Sequence, residues 1–229
     1  MSNANIEMLQ TVAEGLGNLK ENVVFVGGSI AELYADDAEL SDIRPTKDVD
    51  CVIEINSRIA YYKLEEELRA KGFRNDTSEN APVCRWIYKN TIVDVMPDDK
   101  DIIGFSNIWY PEGIENKIIK TLPNGTEIFV FSVEYYVASK FEAHKGRGGR
   151  DLRQSHDFED IIYIMNNYSN LVDDITSAKA EVKEYLINEY KILLQDTNLT
   201  EGVESSLPYG SGSDGTDIIM EMINSITNC

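Results

Sequence analysis

The chain has 229 residues, 42% of them hydrophobic, and a formal net charge of −19. That length holds one large domain or two small ones sharing a core, and the apolar content argues against disorder. The acidity repels phosphate backbones at long range, against general DNA or RNA binding, and no apolar run approaches a bilayer span, so no membrane partner is expected.

The N-terminal stretch MSNANIEMLQ lacks the basic-then-apolar layout of a signal peptide. Met8, Leu9, Val12, Ala13, Leu16 and Leu19 recur at helical spacing within Ile6 to Leu19. Val23 to Val26 is a short apolar strand ended by Gly27, Gly28 and Ser29, and a helical pattern resumes over Ile30 to Ala35. A polar loop, Asp36 to Lys47, leads to Asp48–Ile55, whose alternating start marks a strand with one polar and one buried face.

Arg58 to Lys71 reads as an amphipathic helix closed by Gly72. Val83 to Tyr88 and Thr91 to Met96 form a predicted hairpin turning at Lys89 and Asn90, with Pro97 ending its second strand. Glu127 to Phe131 is a further strand.

From Ser132 the character changes to helices alone. Ser132 caps a predicted helix reaching about Lys145, and a basic, glycine-rich loop, Gly146 to Arg153, precedes a helix capped by Ser155. One long helix is expected over Leu171 to Gln195, a Gly/Ser-rich linker over Thr197 to Thr216, and a short helix over Ile218 to Ile226. The fold class is therefore α+β: a mixed β-sheet with flanking helices, followed by a helical C-terminal half. The expected domains are 1–131 for catalysis, 132–196 as a helical domain completing a nucleotide cleft, and 197–229 as linker and terminal helix.

Asp48 and Asp50, two apart on a strand, share a face roughly 6.5 Å apart along it and can converge on one cation. Hard oxygen ligands of this kind suit Mg²⁺, which takes part of its shell from substrate phosphates. Taken alone, an Asp-x-Asp is more often a pair of solvated acids on an exposed strand face. Asp94, flanked by Ile92, Val93, Val95 and Met96, is costly in an apolar strand unless paired or bound to a cation. Beside the first two it completes a triad able to hold two metals about 4 Å apart. Gly27 and Gly28 let the backbone approach phosphates, and Ser29 adds a hydroxyl donor. The turn is neither a Walker A loop nor a dinucleotide fingerprint.

This order of strand, Gly-Gly-Ser turn, helix, paired aspartates and a later aspartate resembles the polymerase-β-like nucleotidyltransferase superfamily. Two segments, Arg44 to Asp50 and Ala138 to Ala143 followed by Arg147, Arg150, Asp151 and Ser155 to Ile161, resemble its AbiEii-type toxin–antitoxin group. The likeness covers roughly residues 20–165. It departs in the interval of 18 residues between Ser29 and Asp48, longer than is usual there and accounted for by an insertion at Asp36 to Lys47.

The resemblance implies that Gly27, Gly28 and Ser29 bind nucleotide phosphates and that Asp48, Asp50 and Asp94 coordinate Mg²⁺. It implies that Lys140 binds the triphosphate and that Asp157, then Asp160, serve the nucleotide site. Lys140 has an equal reading as a stem covering apolar surface. Asp157 and Asp160 equally favour a helix N-terminus. The loop His144 to Arg153, a concentration of positive charge, could hold phosphates or offset nearby acids.

The implied reaction moves a nucleoside monophosphate from a nucleoside triphosphate to an acceptor hydroxyl, releasing pyrophosphate. The acceptor could be tRNA or a protein, with a cognate antitoxin as partner. A cationic small molecule such as an aminoglycoside is a second possibility, and a non-catalytic nucleotide-binding module a third. Cys51, Cys84 and Cys229 form no CxxC or disulfide framework, which implies a reducing, cytoplasmic setting. Two histidines are too few for a His-based zinc site.

Overall fold

The structure, a computed structural model, describes residues 4–38, 41–147 and 151–229. The chain forms two compact units. The first comprises the chain up to Ile30 together with Arg44–Ser132, and the second comprises Ala31–Ile43 and Val133–Cys229. Residues 31–43, read from sequence as part of the catalytic domain, thus belong with the helices.

The first unit is built on a seven-stranded sheet. Its strands are β1 (Val23–Val26), β2 (Asp48–Ile53), β3 (Arg74–Asn75), β4 (Arg85–Tyr88), β5 (Thr91–Pro97), β6 (Lys117–Thr121) and β7 (Glu127–Phe131). They lie in the order β3-β4-β5-β2-β1-β7-β6. The central strands β1, β2 and β5 bury Val23, Val24, Phe25, Val49, Val93 and Val95 completely; each such side chain contributes about 1.5–3 kcal/mol on leaving water. Four helices flank the sheet in sequence: α1 (Ala4–Leu16), α2 (Arg58–Ala70), α3 (Lys100–Ile103) and α4 (Tyr110–Glu115). The predicted face of α1 is buried through Leu9, Val12, Ala13 and Leu16. Ser57 caps α2 by accepting from the Ala60 amide at 3.2 Å.

Sheet register places the acids. β1 runs antiparallel to β2, pairing Val26 with Asp50. β2 runs parallel to β5, pairing Asp50 with Asp94. The predicted hairpin of β4 and β5 forms, with Lys89 in the left-handed region at φ 52°. β6 was not foreseen; it pairs with β7 through a turn closed by the Leu122 amide on the Thr126 carbonyl at 2.8 Å.

The second unit holds α5 (Val133–Gly146), α6 (His156–Asn167), α7 (Leu171–Ser177), α8 (Ala180–Leu193), α9 (Leu199–Ser206) and α10 (Gly212–Thr227). Tyr136, Phe158, Ile161, Leu186, Tyr190, Ile219 and Ile223 form its buried core. The expected long helix is broken into α7 and α8, because Ala178 and Lys179 are extended at ψ 164° and 143°. The hydroxyls of Thr176 and Ser177 accompany the break by bonding back to the carbonyls of Val172 and Asp173.

The linker expected over Thr197 to Thr216 is corrected: most of it is α9 and the start of α10. Gly202 is a packing residue, since a β-carbon there would stand 2.7 Å from Leu152 Cβ. The absent side chain lets α9 seat Leu199 and Val203 in the core. Among the described residues no helix is long and apolar enough to cross a membrane.

Candidate metal centre

Asp48, Asp50 and Asp94 each offer a carboxylate oxygen lying within 4.8 Å of the other two. Alternation along β2 puts Asp48 and Asp50 on one face while Val49 and Cys51 are buried on the other. The parallel register then sets Asp94 directly beside Asp50, one strand spacing away. Asp94 is 7% exposed, whereas Asp48 and Asp50 are half-buried.

The glycine bend abuts this cluster. Gly27 follows the residue paired with Asp50 and has φ +74°, and a β-carbon on it would overlap the Asp50 carboxylate. Both the left-handed backbone and the close approach require glycine here. Gly28 opens a seven-residue 3-10 helix, Gly28–Tyr34, where an α-helix was expected. A 3-10 helix this short aligns its peptide dipoles poorly, so the helix end carries little of the anion-binding expectation. Ser29 carries more of it. Its Oγ is buried and has no hydrogen-bond partner among the described residues, an arrangement that costs about 1–3 kcal/mol unless a ligand satisfies it.

Arg85 completes the cluster and was missed from sequence. It stands opposite Asp94 on β4. Its Nε donates to Asp94 Oδ1 at 2.9 Å and its Nη2 to Asp94 Oδ2 at 2.7 Å. The same Nη2 lies 3.6 Å from Asp48 Oδ2. These hydrogen bonds to Asp94, outweighing the pull of partial burial, raise the guanidinium pKa above its ordinary value. The two-residue hairpin at Lys89 and Asn90 contained the signal, because counting back from Tyr88 and forward from Thr91 pairs position 85 with 94.

Two thiols report the site's negative charge. Burial first, then the carboxylates of Asp50 and Asp94, push the Cys51 thiol pKa well up. Burial and the nearby Asp94 push Cys84 up to about 12.

The chemistry of the donor set fits a hard divalent cation: oxygen donors only, with no imidazole or thiolate among them.

Lys140 and Asp157 meet each other in the helical unit. Lys140 Nζ on α5 donates to Asp160 Oδ2 at 2.6 Å and lies 3.5 Å from Asp157 Oδ1, all three side chains being buried. Arg147 Nη1 reaches Asp157 at 3.0 Å and 3.2 Å. Ser155 caps α6 by accepting from the Phe158 amide. The charges of the basic loop are largely paired locally: Lys145 with Glu142 and Glu189, Arg153 with Asp151 and Glu201. The rest of that loop, Gly148, Gly149 and Arg150, lies outside the described residues.

No known protein family and no curated protein matches the chain in sequence. In structure it is similar to a crystal structure of an antigenic nucleotidyltransferase-like protein from Paracoccidioides brasiliensis. The superposition has a TM-score of 0.52 and 18% identity, covering 90% of this chain and 94% of that one. The chain thus has an α+β nucleotidyltransferase-like fold, with a mixed sheet and a helical C-terminal half.

Proposed function

We propose that the chain is a Mg²⁺-dependent nucleotidyltransferase, moving a nucleoside monophosphate from a nucleoside triphosphate to an acceptor hydroxyl. The observation that carries this reading is the convergence of Asp48, Asp50 and Asp94 within 4.8 Å on a nucleotidyltransferase-like fold.

Asp48 and Asp50 would hold the cation, with Asp94 anchoring the back of the cluster. Bound Mg²⁺ would supply charge neutralisation for the triphosphate and the pyrophosphate leaving group. Gly27 gives Asp50 the room to face the site. The buried Ser29 hydroxyl would donate to a phosphate oxygen, the partner it lacks among the described residues. The acceptor oxygen bonds to the α-phosphorus as the bond from that phosphorus to the β-phosphate oxygen breaks, and the acceptor proton leaves to water or a carboxylate. Positioning and fixed charge account for most of the acceleration in such a reaction.

Likeness of the Arg44–Asp50, Ala138–Ala143 and Ser155–Ile161 segments to the AbiEii-type group favours tRNA or a protein hydroxyl as acceptor, with a cognate antitoxin as partner. Within this reading the buried pair Lys140 and Asp160, with Asp157, orders the helical unit. The net charge of −19 favours a second reading, transfer to a cationic small molecule of the aminoglycoside kind.

Incubation with each labelled nucleoside triphosphate, Mg²⁺, total RNA, a protein extract and an aminoglycoside panel tests both. Label on one acceptor class with pyrophosphate release, lost at least about a hundredfold in Asp50→Asn, is the expected result. Release unchanged by Asp50→Asn would refute the metal role, and nucleotide binding without any release would mark a non-catalytic module.

A further inference from the structure

Asn5 sits in the first turn of α1 and is completely buried. A buried amide needs partners at both its ends, and Asn5 finds them on one distant segment. Its Oδ1 accepts from the Thr46 backbone amide at 2.9 Å, and its Nδ2 donates to the Arg44 carbonyl at 3.1 Å. A backbone N–H only donates and a carbonyl only accepts, so a neutral amide side chain matches this pair and a carboxylate does not. Pro45, the residue between them, has a locked φ and disposes Arg44 to extended backbone. Thr46 carries the contact forward. Its hydroxyl lies 3.4 Å from Asn5 Oδ1 and 3.2 Å from the Asp48 carbonyl oxygen, and can donate its one proton to either.

Asp48 is the acid that the sheet holds least. Asp50 is paired on both sides, with Val26 and Asp94, and Asp94 likewise, with Asp50 and Arg85. The ladder of β1 with β2 ends at Asp50, so at Asp48 the sheet supplies Ile92 of β5 alone. Asp48 also follows a crossing of the chain: residues 31–43 belong to the second unit, and Arg44 opens the return to the first. The hydrogen bonds of Asn5 begin at that residue. From this we propose, resting on the metal-site reading above, that Asn5 is a positioning residue for the metal centre. With Thr46 it pins the lead into β2 and so fixes Asp48 as a cation ligand, acting through Asp48 and outside the stretch 20–165 that carries the family likeness. Supporting hydrogen bonds of this kind set metal affinity, and losing one typically weakens it about 10–100-fold.

Mn²⁺ titration of the nucleotide-free protein tests this, followed by the electron paramagnetic resonance signal of free Mn²⁺ well below each variant's melting temperature. Folded Asn5→Ala is expected to bind Mn²⁺ at least about tenfold more weakly than wild type. Thr46→Val keeps the Thr46 N–H on Asn5 and loses only the hydroxyl, so a smaller fall, about threefold, is expected. Leu16→Ala opens a cavity at the far end of α1, where Leu16 is fully buried. It should lower the melting temperature and keep wild-type Mn²⁺ affinity. Equal affinity in Asn5→Ala and wild type overturns the inference. So does an equal fall in Leu16→Ala, which would make Asn5 a stability residue only. If Asn5→Ala does not fold, Thr46→Val decides: weaker binding supports the inference and unchanged binding overturns it. Wild type that binds no Mn²⁺ removes the metal-site reading and the role of Asn5 with it. Wild type that binds, with Asn5→Ala unaffected, removes the role of Asn5 and leaves the metal site standing.

Discussion

Gly27 and Asp50 pack so closely that the glycine's missing side chain is the space the carboxylate occupies. The bend after β1 and the paired aspartates of β2 are thus one structural unit, linked by the antiparallel pairing of Val26 with Asp50. Gly27→Ala therefore attacks the site from outside its ligand set. The left-handed φ of +74° costs a non-glycine residue about 1–2 kcal/mol, and the overlap with Asp50 adds to it. Urea denaturation should show a loss of about 2 kcal/mol or more, with weaker Mn²⁺ binding. Native stability together with native Mn²⁺ affinity would show that the approach is less tight than described.

Ser29 separates a binding role from a folding role. Its buried hydroxyl has no partner to lose among the described residues, so Ser29→Ala should leave stability unchanged or raise it by up to about 1 kcal/mol. A hydrogen bond to a charged phosphate is worth about 1.5–3 kcal/mol, so nucleotide affinity should fall about tenfold or more. Calorimetric titration with a triphosphate analogue, paired with thermal melting, checks both. Lost stability with intact affinity would make Ser29 a core residue only.

Lys140 lies in a buried charge cluster with Asp160 and Asp157. Lys140→Met removes the ammonium from which Asp160 accepts at 2.6 Å, while Asp157 keeps Arg147. Breaking a buried pair from one side costs about 3–5 kcal/mol, so the denaturation midpoint should drop sharply. Adding Asp160→Asn should recover much of the loss. Absence of recovery would mean that Lys140 acts through packing against the Tyr136 ring, 5.6 Å from its ammonium.

Cysteine reactivity tests the sheet. Cys51 and Cys84 are buried and Cys229 is exposed, so alkylation should modify one thiol in the native protein and all three after denaturation. The Cys84 thiol is raised in the folded state from 9.0 to about 12. The folded protein thus holds a proton that the unfolded chain releases. Its contribution to stability is complete below about pH 9 and lost as pH rises toward about 12. Rapid native labelling of Cys84 at pH 8 would contradict its placement.

The acids and the glycine bend were legible because strand periodicity and apolar flanks dictate which way each side chain faces. Asp94 could be read as unusual from its four apolar neighbours alone. Arg85 was legible only through register, by pairing positions across the Lys89 and Asn90 turn. β6 escaped because Ile118 and Ile119 lie partly exposed on an edge strand, where burial imposes no alternation. The linker reading failed at Gly202, since composition cannot distinguish a glycine that frees the chain from one that lets two elements touch. The break between α7 and α8 depends on backbone angles at Ala178 and Lys179 that neither residue type demands.

The position at which a divalent cation settles decides the function of the aspartate cluster. Crystals soaked with Mn²⁺ and a non-hydrolysable nucleoside triphosphate analogue, measured at a wavelength where manganese scatters anomalously, locate it directly. The expected map has a peak bonded to Asp48 and Asp50, Arg85 still forked on Asp94, and a phosphate oxygen on Ser29 Oγ. A map with nucleotide bound elsewhere, or with no manganese at these aspartates, would contradict the account.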